Sequence, residues 1–122
     1  MQNVILEKST AFALRIVRLY QYLSQQKREY VLSKQILRSG TSIGANVNEA
    51  QCAQSRNDFY AKLYIAYKES AETRYWLDLL YAAGYIGQSG YNSIWQDNHE
   101  ILLLLAKITQ RSKLPTQQRE NR

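Results

Sequence analysis

The sequence predicts an all-α protein, an up-down-up-down bundle of four helices. Three observations support this fold class. Apolar residues recur at helical spacing along most of the chain, the only proline is Pro115, and the five glycines form no glycine-rich loop. A turn-rich β fold needs more residues of these types. The length of 122 residues suits one domain with a single core, which we place in residues 1–112.

The first two helices are predicted over residues 3–26 and 33–54. The first carries an apolar stripe: Ile5, Phe12, Ile16, Leu19 and Leu23. A cluster of charges at 27–31 interrupts the pattern, and Ser33 is a candidate N-cap for the second helix. The second helix has Gly40 and Gly44, each about 1 kcal/mol less favourable than alanine. We therefore expect it to pack tightly on its neighbours.

The third and fourth helices are predicted over residues 56–83 and 89–112. Ser55 is the expected N-cap of the third helix, with Asp58 imitating a capping box. This helix has the clearest heptad pattern: Phe59, Leu63, Ala66, Ser70, Thr73, Leu77 and Leu80. Gly84 is a suitable residue to end it. The inward residues of the fourth helix are Ile94, Asn98, Ile101, Leu105 and Ile108. Residues 113–122 are expected to form a disordered basic tail.

A second, polar stripe accompanies the apolar stripe of the second helix. It includes Ser42, Asn46 and Glu49, and we expect the last two to be at least half-buried, with partners on the first or third helix. Arg38, Lys62 and Arg74 could neutralise the acids of this region, Glu49, Glu69 and Glu72. Paired acids and bases inside a bundle typically fix helix register and partner choice. The predicted polar seam consists of Arg38, Ser42, Asn46, Glu49, Glu69 and Glu72.

More apolar surface is present than one bundle needs. Tyr60, Tyr64 and Tyr67 lie beside the heptad stripe, and residues 101–106 (ILLLLA) are apolar all round the helix. Tyrosine is favoured at interfaces because it buries a large area and keeps a hydroxyl for hydrogen bonding. We expect these three tyrosines to form an oligomer interface. The alternative is a broad core with tyrosines at its rim.

Residue types that carry out catalysis or bind metals are sparse. His99 is the only histidine, and position 96 is glutamine, so no Glu-x-x-His iron motif exists. Cys52 is the only cysteine, which excludes an internal disulfide, and we expect it to be buried and inert. No phosphate-binding loop or nucleophile elbow is present. We therefore expect a protein that is not an enzyme and has no metal or cofactor.

The N-terminus lacks a signal peptide, and the longest apolar run is too short to span a bilayer. We expect a cytoplasmic protein without a membrane partner.

The formal charge is +6, of which +3 lies in residues 111–122. A basic balance favours a polyanion such as RNA or DNA. A soluble surface with a charged tail explains the same balance. The candidate nucleic-acid contacts are solvated basic residues: Arg15, Arg18, Lys27, Arg28, Lys34, Arg56, Lys107, Arg111 and Lys113.

Two segments resemble a known family. Residues 38–50 (RSGTSIGANVNEA) and 58–80 (DFYAKLYIAYKESAETRYWLDLL) are similar to the bacterial four-helix bundle proteins encoded in intervening sequences of 23S ribosomal RNA genes. The resemblance implies a left-handed bundle that assembles into a homopentameric ring. A related branch is the accessory protein of diversity-generating retroelements, which binds nucleic acid and a reverse transcriptase. The Asn-Glu-Ala at residues 48–50 is a minor departure from the family pattern.

Two functions follow as hypotheses. The first is a non-enzymatic homo-oligomer that binds nucleic acid, RNA above all, through basic surfaces. The alternative is a protein–protein scaffold, or an accessory subunit of a partner such as a reverse transcriptase. Salt separates them, because phosphate contacts weaken with salt.

Overall fold

The computed structural model describes residues 3–111. These residues form four helices: α1 (Val4–Gln25), α2 (Leu32–Ala50), α3 (Arg56–Ala82) and α4 (Gln88–Gln110). Each helix packs on the next along the chain, and α4 closes the ring on α1. The predicted all-α, up-down-up-down four-helix bundle is confirmed. None of the four helices has the length and apolarity needed to span a membrane. The predicted basic tail lies outside the described residues.

Short polar side chains begin α1 and α3. The side chain of Asn3 accepts the backbone N–H of Leu6 at 3.2 Å. Ser55 Oγ accepts the N–H of Asp58 at 3.0 Å, as the sequence predicts. The carboxylate of Asp58 in turn accepts the N–H of Gln54 at 3.3 Å. Both helix starts thus satisfy N–H groups that have no partner within the helix.

The N-terminus of α2 differs from the prediction, since Glu29 and not Ser33 supplies the capping side chain. The Glu29 carboxylate accepts the N–H groups of Val31, Leu32 and Ser33 at 3.2, 3.0 and 2.7 Å. Burial works to raise the pKa of Glu29, but these hydrogen bonds together outweigh it, so the pKa lies below its ordinary value. Sequence spacing favoured Ser33 as the cap, because it does not show that the α1–α2 connection places Glu29 against the first N–H groups of α2.

The C-terminus of α2 also differs, because the helix ends at Ala50 and not near residue 54. The N–H of Cys52 bonds the carbonyl of Glu49 at 3.0 Å, and that of Ala53 bonds Ala50 at 3.2 Å. These shorter-range bonds tighten the chain into turns, which end the α-helix.

The core contains the predicted apolar stripes. In α3 the heptad residues from Leu63 to Leu80 are buried, whereas Phe59 is half-buried. The glycines of α2 allow a close approach to α1. A Cβ at Gly40 would lie 2.7 Å from Ile16 Cγ1, and one at Gly44 would lie 3.2 Å from the Ser9 carbonyl oxygen. The prediction that this helix packs tightly is confirmed.

The end of α3 contacts the start of α4 through a ring stack and a hydrogen bond. Gly84 has φ +86°, the left-handed conformation that follows many helices. The rings of Tyr81 and Tyr91 stack with centroids 4.2 Å apart. The Tyr91 hydroxyl donates to Asp78 at 2.6 Å, and this hydrogen bond raises the pKa of Tyr91 to about 12.

Candidate nucleic-acid and assembly surfaces

The bundle has two unlike ends. The end with the α1–α2 and α3–α4 connections is called the two-loop end. The other holds the start of α1, the α2–α3 connection and the end of α4, and is called the one-loop end. This topology determines which of the predicted basic residues lie together.

The two-loop end gathers three predicted nucleic-acid contacts. Lys27 and Arg28 lie in the α1–α2 connection and Lys34 in the first turn of α2, and all three are exposed. Glu29 lies between them in sequence, but its buried carboxylate faces the backbone of α2. The cations therefore face solvent, whereas the neighbouring carboxylate is hydrogen-bonded to the backbone.

The one-loop end gathers three others. Arg56 begins α3, Lys107 lies in the last turn of α4, and Arg111 follows that helix. All three side chains are exposed. Lys113, the ninth predicted contact, lies outside the described residues. The predicted basic residues therefore occupy both ends of the bundle.

Arg15 and Arg18 lie along α1, and only Arg18 is exposed. Arg15 is half-buried and pairs with Asp97 of α4 at 2.7 Å. A second pair, Lys8 with Glu100 at 3.1 Å, crosses the same α1–α4 junction beside a shallow groove of about 200 Å³. Arg15 is therefore paired within the chain while its side chain stays 40% exposed, and its contact with nucleic acid remains a prediction.

Part of the predicted polar seam is assembled between α2 and α3. Arg38 donates to Glu69 at 3.3 Å and also to Glu72. Trp76 Nε1 donates to Glu72 at 2.9 Å. Arg38 is about half exposed, so water screens this network and each pair contributes little to stability. The network joins the surfaces of α2 and α3.

The rest of the seam differs from the prediction. Asn46 is half-buried, but it donates to the Ser42 carbonyl and hydroxyl on its own helix, at 2.8 and 3.3 Å. Glu49 has a partner on α3, Lys62 at 3.1 Å, but its side chain is 59% exposed. The prediction that Glu49 is at least half-buried is therefore wrong, because the last turn of α2 carries this residue to the bundle surface, whereas the predicted partner on the third helix is present.

Buried polar contacts occur instead among residues of the heptad stripes. Ser70 Oγ donates to Asn98 Oδ1 at 2.9 Å, and Asn98 Nδ2 donates to the Ser70 carbonyl at 3.0 Å. The hydroxyls of Thr73 and Ser39 lie 2.9 Å apart. A polar residue at a core position of a heptad is the sequence signal for such contacts. The prediction listed Ser70, Thr73 and Asn98 as inward residues without pairing them.

The three predicted interface tyrosines lie on one side of α3. Tyr64 is 52% exposed, and Tyr60 and Tyr67 are half-buried. The rings of Tyr64 and Tyr67 stack with centroids 5.9 Å apart. In the apolar patch of α4, Leu103 is 56% exposed. The Ser70–Asn98 bond sets the antiparallel register, which brings Leu103 to the level of Tyr64 and Tyr67.

The remaining reactive side chains occupy separate places. The His99 ring stacks on Trp95, with centroids 4.8 Å apart, and its Nδ1 is buried with no hydrogen-bond partner in the described part of the chain. Cys52 is exposed in the α2–α3 connection. The prediction that Cys52 is buried is wrong, because α2 ends before it. Within residues 3–111 no three His, Cys, Asp or Glu side chains form a metal-binding group.

Comparison with known proteins identifies the family. Residues 1–107 match the model of the 23S rRNA-intervening sequence protein family. The chain belongs to this family. The resemblance found in residues 38–50 and 58–80 is therefore confirmed.

A solved relative of this intervening sequence protein shares its fold. It is a protein of unknown function from the S23 ribosomal protein family of Bacteroides thetaiotaomicron. The two chains are 56% identical, with a TM-score of 0.87, over 88% of this chain and 96% of the other. None of the curated proteins matches. Membership in the intervening sequence protein family therefore establishes the fold, and indications of function come from the surfaces of the bundle.

Proposed function

We propose that this intervening sequence protein is a non-enzymatic, cytoplasmic homo-oligomer that binds RNA through basic residues at the ends of its bundle. The observation that carries the proposal is the exposure of Lys27, Arg28 and Lys34 at one end and of Arg56 and Lys107 at the other. None of these five forms an ion pair with another described residue. Unpaired, exposed cations neutralise phosphates and release counterions, which gives binding with little sequence preference.

Assembly is the second part of the proposal. Tyr64, Tyr67 and Leu103 form an apolar side of α3 and α4 that a second copy would cover. Five copies are favoured because the family resemblance implies a pentameric ring. A ring repeats each basic end around one axis, so weak contacts to one RNA add through multivalency.

Light scattering tests the assembly. We expect a mass several times 14.2 kDa in physiological salt. Tyr64→Ser should shift the mass toward the monomer, whereas Tyr30→Ser, which changes an equally exposed tyrosine at the two-loop end, should not. A wild-type protein that stays monomeric at micromolar concentration would contradict the proposal.

Fluorescence polarisation tests RNA binding directly. At about 50 mM salt, where electrostatic affinity is high, the full chain should bind a labelled structured RNA. Deleting residues 113–122 removes Lys113, Arg119 and Arg122, so affinity should fall while the number of subunits in the oligomer stays the same. The absence of binding by the full chain at this salt concentration would remove the RNA proposal.

The second candidate is a scaffold or accessory subunit for a protein such as a reverse transcriptase. Exposed apolar side chains outside the tyrosine side of α3, including Leu14 and Val31, favour a protein partner. An apolar contact of this kind should withstand salt that dissociates RNA. The two candidates are therefore separated by a salt titration.

A further inference from the structure

We infer that the two-loop end is a site for unpaired nucleotides, in which Tyr30 and Tyr22 stack on bases while basic residues hold the adjacent phosphates. The cations are Lys27, Arg28 and Lys34. This inference rests on the proposed RNA binding and specifies which part of the RNA is recognised and where.

The first observation is the exposure of aromatic and apolar side chains in and beside the α1–α2 connection. Tyr30 is 53% exposed, Tyr22 is 42% exposed and Val31 is 70% exposed. At the same end of the bundle, Tyr81 and Tyr91 stack on each other. Among the described residues, by contrast, no aromatic ring stacks on Tyr30 or Tyr22. Their exposed ring surface is a platform on which a base can stack.

The second observation is the arrangement of charge around those rings. Lys27 Nζ lies over the Tyr22 ring, 6.0 Å from its centroid, which places a cation against one face of that ring. Lys34 lies in the first turn of α2. The nearby acids are occupied: Glu29 binds backbone N–H groups, and Asp78 accepts the Tyr91 hydroxyl. Both carboxylates keep their charge, so three cations face two acids and this end carries a small positive excess, with the cations exposed and the Glu29 carboxylate buried.

The third observation is the backbone of Arg28, which has φ +53°. The N–H groups of Lys27 and Glu29, on either side of Arg28, bond carbonyls of α1 at 3.2 and 2.9 Å. Glycine is the usual residue at such a left-handed position after a helix, because other side chains are strained there. Arginine at this position keeps a cation at the tip of the connection in spite of the strain, which points to a use for its side chain.

These features together select single-stranded nucleic acid. In a duplex the bases are stacked inside the helix and present only edges in the grooves, so exposed tyrosines gain nothing from it. Loops and bulges offer splayed bases next to phosphates, which match a ring beside a cation. An uncharged protein surface would use the apolar rings but would leave the three cations of this end without partners.

The test is a polarisation titration of the full chain at about 50 mM salt. The probes are a single-stranded RNA of about 12 nucleotides and a blunt RNA duplex of the same length. The variants are Arg28→Gly, Tyr30→Ser and Tyr30→Phe, with Lys107→Ala at the one-loop end as the matched control. Arg28→Gly is informative because it removes the cation while glycine accepts the backbone conformation.

We expect the wild type to prefer the single strand. Tyr30→Ser should weaken that binding about tenfold, and Tyr30→Phe should restore it because phenylalanine keeps the stacking face. Arg28→Gly should weaken binding and reduce its salt dependence by about one phosphate contact, while thermal stability stays the same or rises. Lys107→Ala should weaken the single strand and the duplex equally.

The failures are distinguishable. A wild type that binds neither probe overturns the proposed function and this inference together. If the wild type binds RNA but Tyr30→Ser and Arg28→Gly bind it with the same affinity, this inference alone is overturned. The exposed tyrosines would then be assigned to a protein partner. Equal affinity of the wild type for the single strand and the duplex would also overturn this inference and leave the proposed RNA binding intact.

Discussion

The buried pair between Ser70 and Asn98 provides the sharpest test of how the bundle is held in register. Asn98 is 1% exposed, and its amide exchanges two hydrogen bonds with Ser70 across the α3–α4 contact. Asn98→Ala removes both bonds and leaves the Ser70 hydroxyl without its side-chain partner in an apolar interior. The void left by the amide adds a packing loss.

The expected loss is about 3 kcal/mol in the free energy of unfolding. Each net hydrogen bond contributes about 1 kcal/mol, and a buried group left unsatisfied costs about 1–3 kcal/mol. For a chain of 122 residues that corresponds to a melting temperature lower by roughly 12 °C. Ser70→Ala should have a smaller effect, and the double variant should be less destabilised than the sum by about 1 kcal/mol.

Urea unfolding followed by circular dichroism measures these differences. All variants must be compared at one protein concentration, because an oligomer's stability depends on concentration. Asn46→Ala is the matched control, since Asn46 bonds only Ser42 on its own helix and should change stability by less than about 0.5 kcal/mol. Equal effects of Asn98→Ala and Asn46→Ala would refute the reasoning.

Further predictions concern α2 and its neighbours. Gly40→Ala should destabilise the bundle by about 1–3 kcal/mol, because its Cβ would meet Ile16 at 2.7 Å. Gly90→Ala, in α4 with open space around it, should stabilise by up to about 1 kcal/mol; the opposite order in thermal melts would contradict the packing. Glu29→Gln should cost about 1 kcal/mol at neutral pH. Because the folded pKa of Glu29 is lowered, that difference should shrink as pH falls below the ordinary value of 4.5.

Much of the fold is predictable from the sequence because helical periodicity and heptad spacing are local patterns. The stripe from Leu63 to Leu80 is buried as its spacing requires, and Ser55 caps α3. Ser70, Thr73 and Asn98 interrupt apolar stripes, and their inward position follows from the same spacing. Their pairing across helices does not, because it depends on the register between α3 and its neighbours.

The errors arise where tertiary geometry or loop conformation decides the outcome. Glu29 caps α2 because of the path of the α1–α2 connection, which no periodicity specifies. Cys52 was expected to be buried because the helix was extended beyond Ala50. Glu49 was expected to be at least half-buried because its stripe runs beside the apolar one, but its side chain is 59% exposed. The pairing of Arg15 with Asp97 joins residues far apart in sequence, and no spacing pattern identifies it.

The salt dependence of RNA affinity tests the central claim most directly. The full-length protein should bind a labelled RNA with an affinity that falls steeply between about 50 and 200 mM salt, with a slope of several units in log affinity against log salt. Replacing Lys27 and Lys34 with alanine should reduce that slope by about two units. An affinity that does not change with salt, or no binding at the lower concentration, would contradict the account.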